Sequence, residues 1–200
     1  MAGSLEFYFD FISPYAYLGS QKIDDLAAKN GRSVKWRPLL TGVTVLNIMG
    51  LKGVAETPLK GPYAQHDIPR FARYLNIPFN RPEGILKPLA PARAFVWLDA
   101  RDPDAAAAFA RSFFRAQWGE AQNLSVPEAV AGFAATLGHD KNAVLKAIGD
   151  EAVKEALKQR VSAAVSAGVF GVPTVAVDEE LFWGVDRFSM VDDWLTRGGW

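Results

Sequence analysis

The chain has 200 residues, half of them apolar and 22% charged, a balance typical of a folded globular protein and not of a disordered or fibrous one. Lys plus Arg and Asp plus Glu both number 22, so no net positive field exists to hold a nucleic acid or an anionic membrane. Cysteine is absent, which excludes disulfides, zinc–thiolate sites, iron–sulfur clusters and a nucleophilic thiol of the protein's own. Any sulfur nucleophile must therefore arrive with a ligand.

The N-terminal segment MAGSLEFYFDF has no basic region followed by a long apolar stretch. No segment reaches the ~18 uninterrupted apolar residues that a membrane span requires. We therefore expect a cytoplasmic enzyme or binding protein without a membrane partner.

The first forty residues predict a βαβ unit. Apolar and polar residues alternate from Leu5 to Phe11, which indicates a strand with one buried face. Ser13-Pro14 then predicts the N-cap and first residue of one helix that runs to Asn30-Gly31. A second alternating run, from Val34 to Pro38, predicts a strand that the right-handed crossover makes parallel to the first.

The middle of the chain, from about residue 61 to about residue 167, has helical periodicity and no convincing strand. Asp102-Pro103 starts one helix, and the segment 125–128, Ser-Val-Pro-Glu, predicts a capping box at the start of another. The run from Asp150 to Ala167 predicts a further helix that ends at Gly168. We therefore predict an inserted all-helical domain at 61–167.

The last part of the chain predicts a hairpin and a helix. Thr174–Val177 and Leu181–Trp183 are strand-like and flank a turn at residues 178–180. Apolar residues at 190, 191, 194 and 195 predict a final amphipathic helix. The order βαβ, helical insertion, ββα predicts an α/β domain formed by residues 1–60 and 168–200.

Many catalytic motifs are missing from the sequence. It has no G-x-S-x-G elbow, no G-x-G-x-x-G, no P-loop and no H-E-x-x-H pair. His66 and His139 lie at the edges of predicted helices without metal-ligand spacing, so we assign neither a role and predict no metal site.

Ser13 places a hydroxyl at the end of a buried strand and the start of a helix. Unpaired N–H groups and the helix dipole favour an anion there, such as a thiolate. Ser13 is also explained as an ordinary N-cap, and the motif alone favours that interpretation.

Gly171-Val172-Pro173-Thr174 places a proline directly before a strand. A cis Val172-Pro173 bond would leave the backbone of Val172 free to pair with an extended peptide ligand. The alternative is a trans proline that simply opens the strand. We predict the cis form here and trans bonds before Pro14, Pro62 and Pro127.

The sequence resembles the thioredoxin superfamily and, within it, the 2-hydroxychromene-2-carboxylate isomerases and kappa-class glutathione transferases. The resemblance covers essentially the whole chain and rests on four motifs in the same order, Phe7–Gly19, Lys60–Tyr63, Phe170–Thr174 and Trp183–Phe188. Ser13-Pro14-Tyr15-Ala16 stands where thioredoxin-like oxidoreductases carry C-x-x-C. The resemblance implies a thioredoxin-like α/β sheet with an inserted helical domain, in a homodimer.

The resemblance also implies a glutathione site. Ser13 would hydrogen-bond the glutathione sulfur and favour its thiolate, and the Val172 backbone would pair with the cysteinyl unit. Asp186 would match the ammonium of the γ-glutamyl end. Lys60 would face a glutathione carboxylate or is a solvated loop lysine, and Arg187 would bind glutathione or only pair with Asp186. The complete implied set is Ser13, Pro14, Tyr15, Lys60, Val172, Pro173, Val185, Asp186 and Arg187.

One segment departs from the family pattern. Relatives place an asparagine after a small residue and glycine, whereas this chain reads Ile48-Met49-Gly50-Leu51, so we expect residues 44–58 to be remodelled and transfer no role to Asn47. The aromatic residues of the helical block (Trp97, Phe109, Phe113, Phe114, Trp118) exceed what its own core needs, and we expect some of them to face a partner or to roof the glutathione cleft. The alternative is that all of them are core packing.

The activity implied by the resemblance is a glutathione-dependent isomerisation of aromatic or unsaturated carbonyl compounds by reversible thiolate addition. A kappa-like glutathione transferase or peroxidase, which would consume glutathione, is the enzymatic alternative. A thioredoxin-fold binding module without activity is the third.

Overall fold

The computed structural model describes residues 3–200 and has a four-stranded mixed sheet in the order β2-β1-β3-β4. Its strands are β1 (Ser4–Phe9), β2 (Ser33–Pro38), β3 (Thr174–Val177) and β4 (Glu180–Trp183). β2 runs parallel to β1 with Trp36 opposite Phe7, and β3 runs antiparallel to β1 with Val175 opposite Phe7. The predicted βαβ unit and C-terminal hairpin are both confirmed.

The helices of the described chain are α1 (Pro14–Ser20), α2 (Ile23–Lys29), α3 (Lys60–Tyr74), α4 (Leu89–Asp99), α5 (Pro103–Phe114), α6 (Pro127–Thr136), α7 (Lys141–Gly149), α8 (Glu151–Ser166) and α9 (Phe188–Arg197). Two π-helical segments lie at Gly42–Ile48 and Arg115–Gly119, and two short 3₁₀ turns lie at Val54–Glu56 and Val185–Arg187. Residues 61–167 contain no strand, as the sequence predicts.

The prediction of one helix between Ser13 and Asn30 is wrong, because the chain breaks into α1 and α2. The Ser20 hydroxyl donates a 2.6 Å hydrogen bond to the Tyr17 carbonyl, and the Lys22 N–H bonds to the Gly19 carbonyl three residues back. Such local side-chain bonds and short-range turns compete with the continuing α-helical ladder. The apolar periodicity continues across this break, which is why the sequence does not reveal it.

The predicted capping box at residues 125–128 is also wrong. α6 begins at Pro127, and its N-cap residue Val126 makes no side-chain hydrogen bond. Glu128 is therefore the second residue of the helix, whereas a capping box needs the glutamate at the third. The Ser125 hydroxyl instead accepts the N–H of Lys87 at 3.0 Å, a contact 38 residues away. The predicted Asp102 cap is confirmed, because its carboxylate accepts the N–H groups of Asp104 and Ala105.

One continuous apolar core joins the sheet to the helical segment. Phe9 of β1 packs edge to face against Phe95 of α4 and Phe114 of α5, with ring centroids 5.1 and 5.8 Å apart. Phe109, Phe113, Phe114 and Trp118 are all buried in this core. The prediction that they roof a cleft is therefore wrong, because the aromatic end of β1 needs them as packing partners. Trp97 is half-buried, with the Arg101 guanidinium 4.0 Å above its ring.

Candidate functional site

Three chain segments meet at the end of the sheet where β1 stops. β2 is parallel to β1 and stops beside it, since Phe9 pairs with Pro38, and β3 begins at Thr174 opposite Tyr8. The residues after Phe9, after Pro38 and before Thr174 therefore lie at the same end of the sheet. The Phe9 carbonyl accepts the Leu39 N–H at 2.7 Å, which holds two of these segments together.

Ser13 is the N-cap of α1. Its Oγ accepts the Ala16 N–H at 3.1 Å, and its own N–H donates to the Asp10 carbonyl at 3.0 Å. Within residues 3–200, neither the hydroxyl hydrogen of Ser13 nor the backbone N–H of Tyr15 has a hydrogen-bond acceptor. The capping role is thus real, and it leaves two donors available to an anion.

The Val172-Pro173 peptide bond is cis, and it is the only cis bond in the described chain, which confirms the predictions for this proline and for Pro14, Pro62 and Pro127. Val172 is half-buried, and neither its N–H nor its carbonyl is hydrogen-bonded to another described residue. The following carbonyl, that of Pro173, accepts the Gly184 N–H at 2.8 Å.

The turn after β4 carries three of the predicted residues. Val185 is buried, whereas Asp186 and Arg187 are exposed and form an ion pair of 3.2 Å. Gly184 has φ +108°, so a side chain there would be strained. This turn contacts α1, the helix that Ser13 caps.

Tyr15 links α1 to the helical segment. Its hydroxyl donates a 2.9 Å hydrogen bond to Asp67 of α3, and Asp67 also pairs with Arg70. Burial, together with the hydrogen bond to Asp67 and its charge, raises the pKa of Tyr15, so the phenol stays protonated. Burial alone would raise the pKa of Asp67, but the hydrogen bonds from Arg70 and Tyr15 outweigh it and lower that pKa.

Lys60 is the first residue of α3 and is exposed. It lies seven residues before Asp67, which places the two about two turns apart on the same side of the helix. Among the described residues Lys60 has no ion-pair partner. Both alternatives for this lysine therefore remain open.

Asp10 is a functional candidate that the sequence analysis did not single out. Its side chain is 1% exposed, and its Oδ1 accepts the Ile12 N–H at 3.2 Å. Its Oδ2 accepts both the N–H and the hydroxyl of Thr41 at 2.8 Å. Burial raises the pKa of Asp10 despite these three bonds. A carboxylate within an otherwise aromatic strand end, FDF, is the signal that could have identified it.

Gln117 and Trp118 hold the loop before Ser13 from the other side. The Gln117 amide and the Trp118 indole N–H both donate to the Phe11 carbonyl, at 2.6 and 3.0 Å. All three residues are buried. No local pattern in the sequence points to these contacts, because they depend on a partner in another part of the chain.

The family model for the DSBA-like thioredoxin domain matches residues 4–196. The chain belongs to this family. Over 196 residues it is 30% identical to a 2-hydroxychromene-2-carboxylate isomerase of Pseudomonas putida, with 96% of this chain and 94% of the relative covered. It is 26% identical to Glutathione S-transferase kappa 1 of Homo sapiens, with 94% and 88% covered. A solved structure of a 2-hydroxychromene-2-carboxylate isomerase superposes with a TM-score of 0.85 at 27% identity, covering 96% of this chain and 94% of that one.

The thioredoxin-like fold predicted from the four motifs is thereby confirmed. In this DSBA-like domain Ser13, Val172 and the turn at 185–187 lie around the end of the sheet and α1, and Tyr15 reaches α3. Phe11 is 1% exposed within the aromatic core. Among residues 3–200 no group of three or more His, Asp or Glu side chains could hold a metal ion, and no helix is long and apolar enough to cross a membrane.

Proposed function

We propose that the protein is a glutathione-dependent isomerase, similar to 2-hydroxychromene-2-carboxylate isomerases, that acts on aromatic or unsaturated carbonyl compounds. Relatives at about this level of identity over nearly their whole length carry that name. The observation that carries the proposal is the free hydroxyl hydrogen of Ser13 at the same sheet end as the unpaired backbone of Val172. A chain without cysteine thus has donors for a sulfur anion and a backbone edge for a peptide.

The exposed groups fit an extended tripeptide that carries a thiol, one ammonium and two carboxylates. The N–H and carbonyl of Val172 can pair with the peptide in the manner of an added strand. Asp186 can face the ammonium, and Lys60 can face a carboxylate. Pro14, Tyr15, Pro173, Val185 and Arg187 complete the proposed contact surface.

When bound, glutathione would supply a thiolate that adds reversibly to a conjugated carbon and is regenerated, as a cofactor is. The Ser13 hydroxyl and the Tyr15 N–H would donate to the sulfur and so favour its ionised form. Asp10 fixes the loop that carries Ser13 through the Ile12 N–H. Tyr15, protonated at neutral pH, keeps α3 and Lys60 next to α1.

The second candidate is a kappa-like glutathione transferase or peroxidase, which the similarity to the human kappa enzyme favours. The two functions differ in whether glutathione is consumed. The protein is incubated with glutathione and a cis-benzylidenepyruvate-type compound, and separately with a chlorodinitrobenzene-type acceptor. Isomerisation without loss of glutathione supports our proposal, consumption supports the transferase, and a failure to bind glutathione would leave a non-enzymatic binding module.

We also propose that the protein is a homodimer and that residues 61–167 form a helical domain inserted between 1–60 and 168–200. Exposed apolar side chains are concentrated between residues 46 and 63, namely Leu46, Ile48, Met49, Leu51, Val54, Leu59 and Tyr63. Such a concentration is typical of an interaction surface. Light scattering checks the dimer, since a mass near 21.8 kDa would contradict it.

A further inference from the structure

A cavity of about 350 Å³ lies between three segments that the proposed glutathione site does not use. One wall is formed by residues after β2 (Leu40, Val43, Ile48), and a second by Leu89 and Arg93 of α4. The third wall is a face of α8. None of the nine residues implied for glutathione lines this cavity.

The wall from α8 is a continuous helical stripe. Lys154, Leu157, Val161 and Val165 follow one another at spacings of three or four residues, which places them on one face of the helix. Lys158, Ser162 and Ser166 flank this stripe. The cavity thus has an apolar floor with basic groups at the N-terminal half of α8.

The charge of the cavity has one sign. Arg93, Lys154 and Lys158 line it, and no Asp or Glu does. Lys154 and Lys158 pair with Glu151 and Glu155, three residues earlier, at 2.5 and 3.6 Å. Such helix-surface pairs contribute little to stability, so they do not prevent either ammonium from also facing a ligand.

Arg93 supplies a second observation that points to an anion. Its Nη1 donates to the Ile148 carbonyl at 3.3 Å, but its Nε is buried and has no acceptor among the described residues. Burying a charged donor without a partner is unfavourable, and a carboxylate is the partner that a guanidinium group prefers. Arg93 thus brings to the cavity wall a guanidinium group that is only partly hydrogen-bonded within the described residues.

We propose that this cavity is a second ligand site, for a small organic acid with an apolar body and a single carboxylate. The apolar floor would hold the body, and Arg93 and Lys158 would hold the carboxylate. The volume lies at the lower end of the ~300–1,000 Å³ range of small-molecule sites, which favours a ligand with a single aliphatic chain or one ring. This proposal does not depend on the isomerase activity.

The test uses decanoate and its uncharged counterpart decanol as probes, titrated into the full-length protein by calorimetry. We expect one decanoate per chain and about tenfold weaker binding of decanol, because decanol cannot pair with the basic groups. R93Q and K158Q should each weaken decanoate about tenfold and leave decanol unchanged. K146Q, on the exposed face of α7 outside the cavity, is the matched charge control and should change neither.

A second variant keeps the test independent of the fold around Arg93. Ser162 is exposed on α8 and lines the cavity, so S162W fills its mouth without altering the core and should weaken both probes. Saturating glutathione should leave decanoate affinity unchanged, because the two sites share no residue. Absence of decanoate binding at roughly 1 mM, equal affinities for decanoate and decanol, unaltered binding in K158Q and S162W, or displacement by glutathione would each overturn the proposal.

Discussion

The Gln117 side-chain amide donates a 2.6 Å hydrogen bond to the carbonyl of Phe11, across 106 residues of sequence. The Trp118 indole donates to the same oxygen at 3.0 Å. Phe11 lies two residues before Ser13, so the end of the second π-helical segment fixes the loop from which α1 starts. The helical segment 61–167 therefore bears directly on the geometry of the candidate site.

Removing both donors to Phe11 should cost more than the sum of the two single changes. Q117L and W118F each leave the carbonyl one partner and should each lower the free energy of unfolding by about 1–3 kcal/mol, W118F including its loss of ring volume. The double variant leaves a buried carbonyl with no partner, which adds a further penalty. Urea unfolding of the four proteins measures the interaction energy.

The matched control is Q122L, because Gln122 is exposed and its amide bonds only to Glu120. It should change the free energy of unfolding by less than about 0.5 kcal/mol. Strictly additive costs for the Gln117 and Trp118 changes would show that the shared carbonyl does not couple them.

Three variants of Ser13 separate its capping role from its proposed role as a thiolate donor. S13T keeps both functions, S13D keeps the cap but has no proton to donate at neutral pH, and S13A keeps neither. S13A should lose about 1 kcal/mol of stability, whereas S13D should not. Turnover with glutathione should fall about tenfold or more in both S13A and S13D and stay near the original value in S13T.

The ultraviolet absorbance of bound glutathione thiolate provides a second measurement for these variants. Losing the hydroxyl donor should raise the pKa of the bound thiol and reduce its ionised fraction near pH 7. Full activity in S13D would remove the hydroxyl from the mechanism, while leaving Ser13 as a cap.

Asp10 should make the protein's stability depend on pH in an unusual direction. Burial raises the pKa of Asp10 in the folded state above its value of about 3.9 in the unfolded state. At a pH between these two pKa values, the folded state therefore binds more protons than the unfolded state. The contribution of Asp10 to the free energy of unfolding therefore increases as pH falls through the folded pKa, and it levels off below the unfolded one. The difference between the original protein and D10N, measured across a pH series, reports this contribution.

Asp67 provides a control of opposite sign for that experiment. The pKa of Asp67 is lowered in the folded state, because the hydrogen bonds from Arg70 and Tyr15 outweigh burial. Its contribution to the free energy of unfolding is therefore complete above the unfolded-state pKa and is lost as pH falls through the folded-state pKa. D67N should thus converge with the original protein in acid. If the stability of the original protein relative to D10N instead fell as the pH was lowered, the three bonds from Ile12 and Thr41 would outweigh burial at Asp10.

The regular elements and the site motifs are readable from the sequence because their signals are local. The alternation up to Phe9 and the Ser13-Pro14 start of α1 both depend on neighbouring residues only. The break after Ser20 depends on the hydrogen bond from the Ser20 hydroxyl to the Tyr17 carbonyl. Apolar periodicity does not indicate such a bond. Similarly, the Ser125 hydroxyl accepts the Lys87 N–H and so does not cap α6 as predicted.

The contacts that fix the site join segments that are distant in the sequence, and local sequence patterns do not predict them. Asp10 is anchored by Thr41, 31 residues away, at the start of a π-helical segment that no propensity predicts. The number of aromatic residues in α5 suggests an open cleft, but in the structure they pack against Phe9 and Phe11. Their burial follows from tertiary packing, not from their spacing.

Two glycines in helices should respond in opposite ways to alanine. Gly132 lies within α6 with open space around the position of a Cβ atom, so G132A should raise the free energy of unfolding by about 0.5–1 kcal/mol. Gly61 lies in the first turn of α3, where a Cβ atom would stand 2.5 Å from the Ala55 carbonyl oxygen. Because that neighbour is backbone, G61A must displace the start of α3 from the turn at Val54–Glu56 and should be destabilising.

The same substitution tests the place of Lys60, since any shift of the first turn of α3 moves this lysine relative to Ser13. If Lys60 holds a glutathione carboxylate, G61A should weaken glutathione binding severalfold, and K60M should do so without a loss of stability, because Lys60 is exposed. Calorimetric titration of glutathione into both variants, beside G132A as the control, provides the measurement. Unchanged affinity in K60M would make Lys60 a solvated loop lysine, and a stabilised G61A would show that the turn at Val54–Glu56 yields without cost.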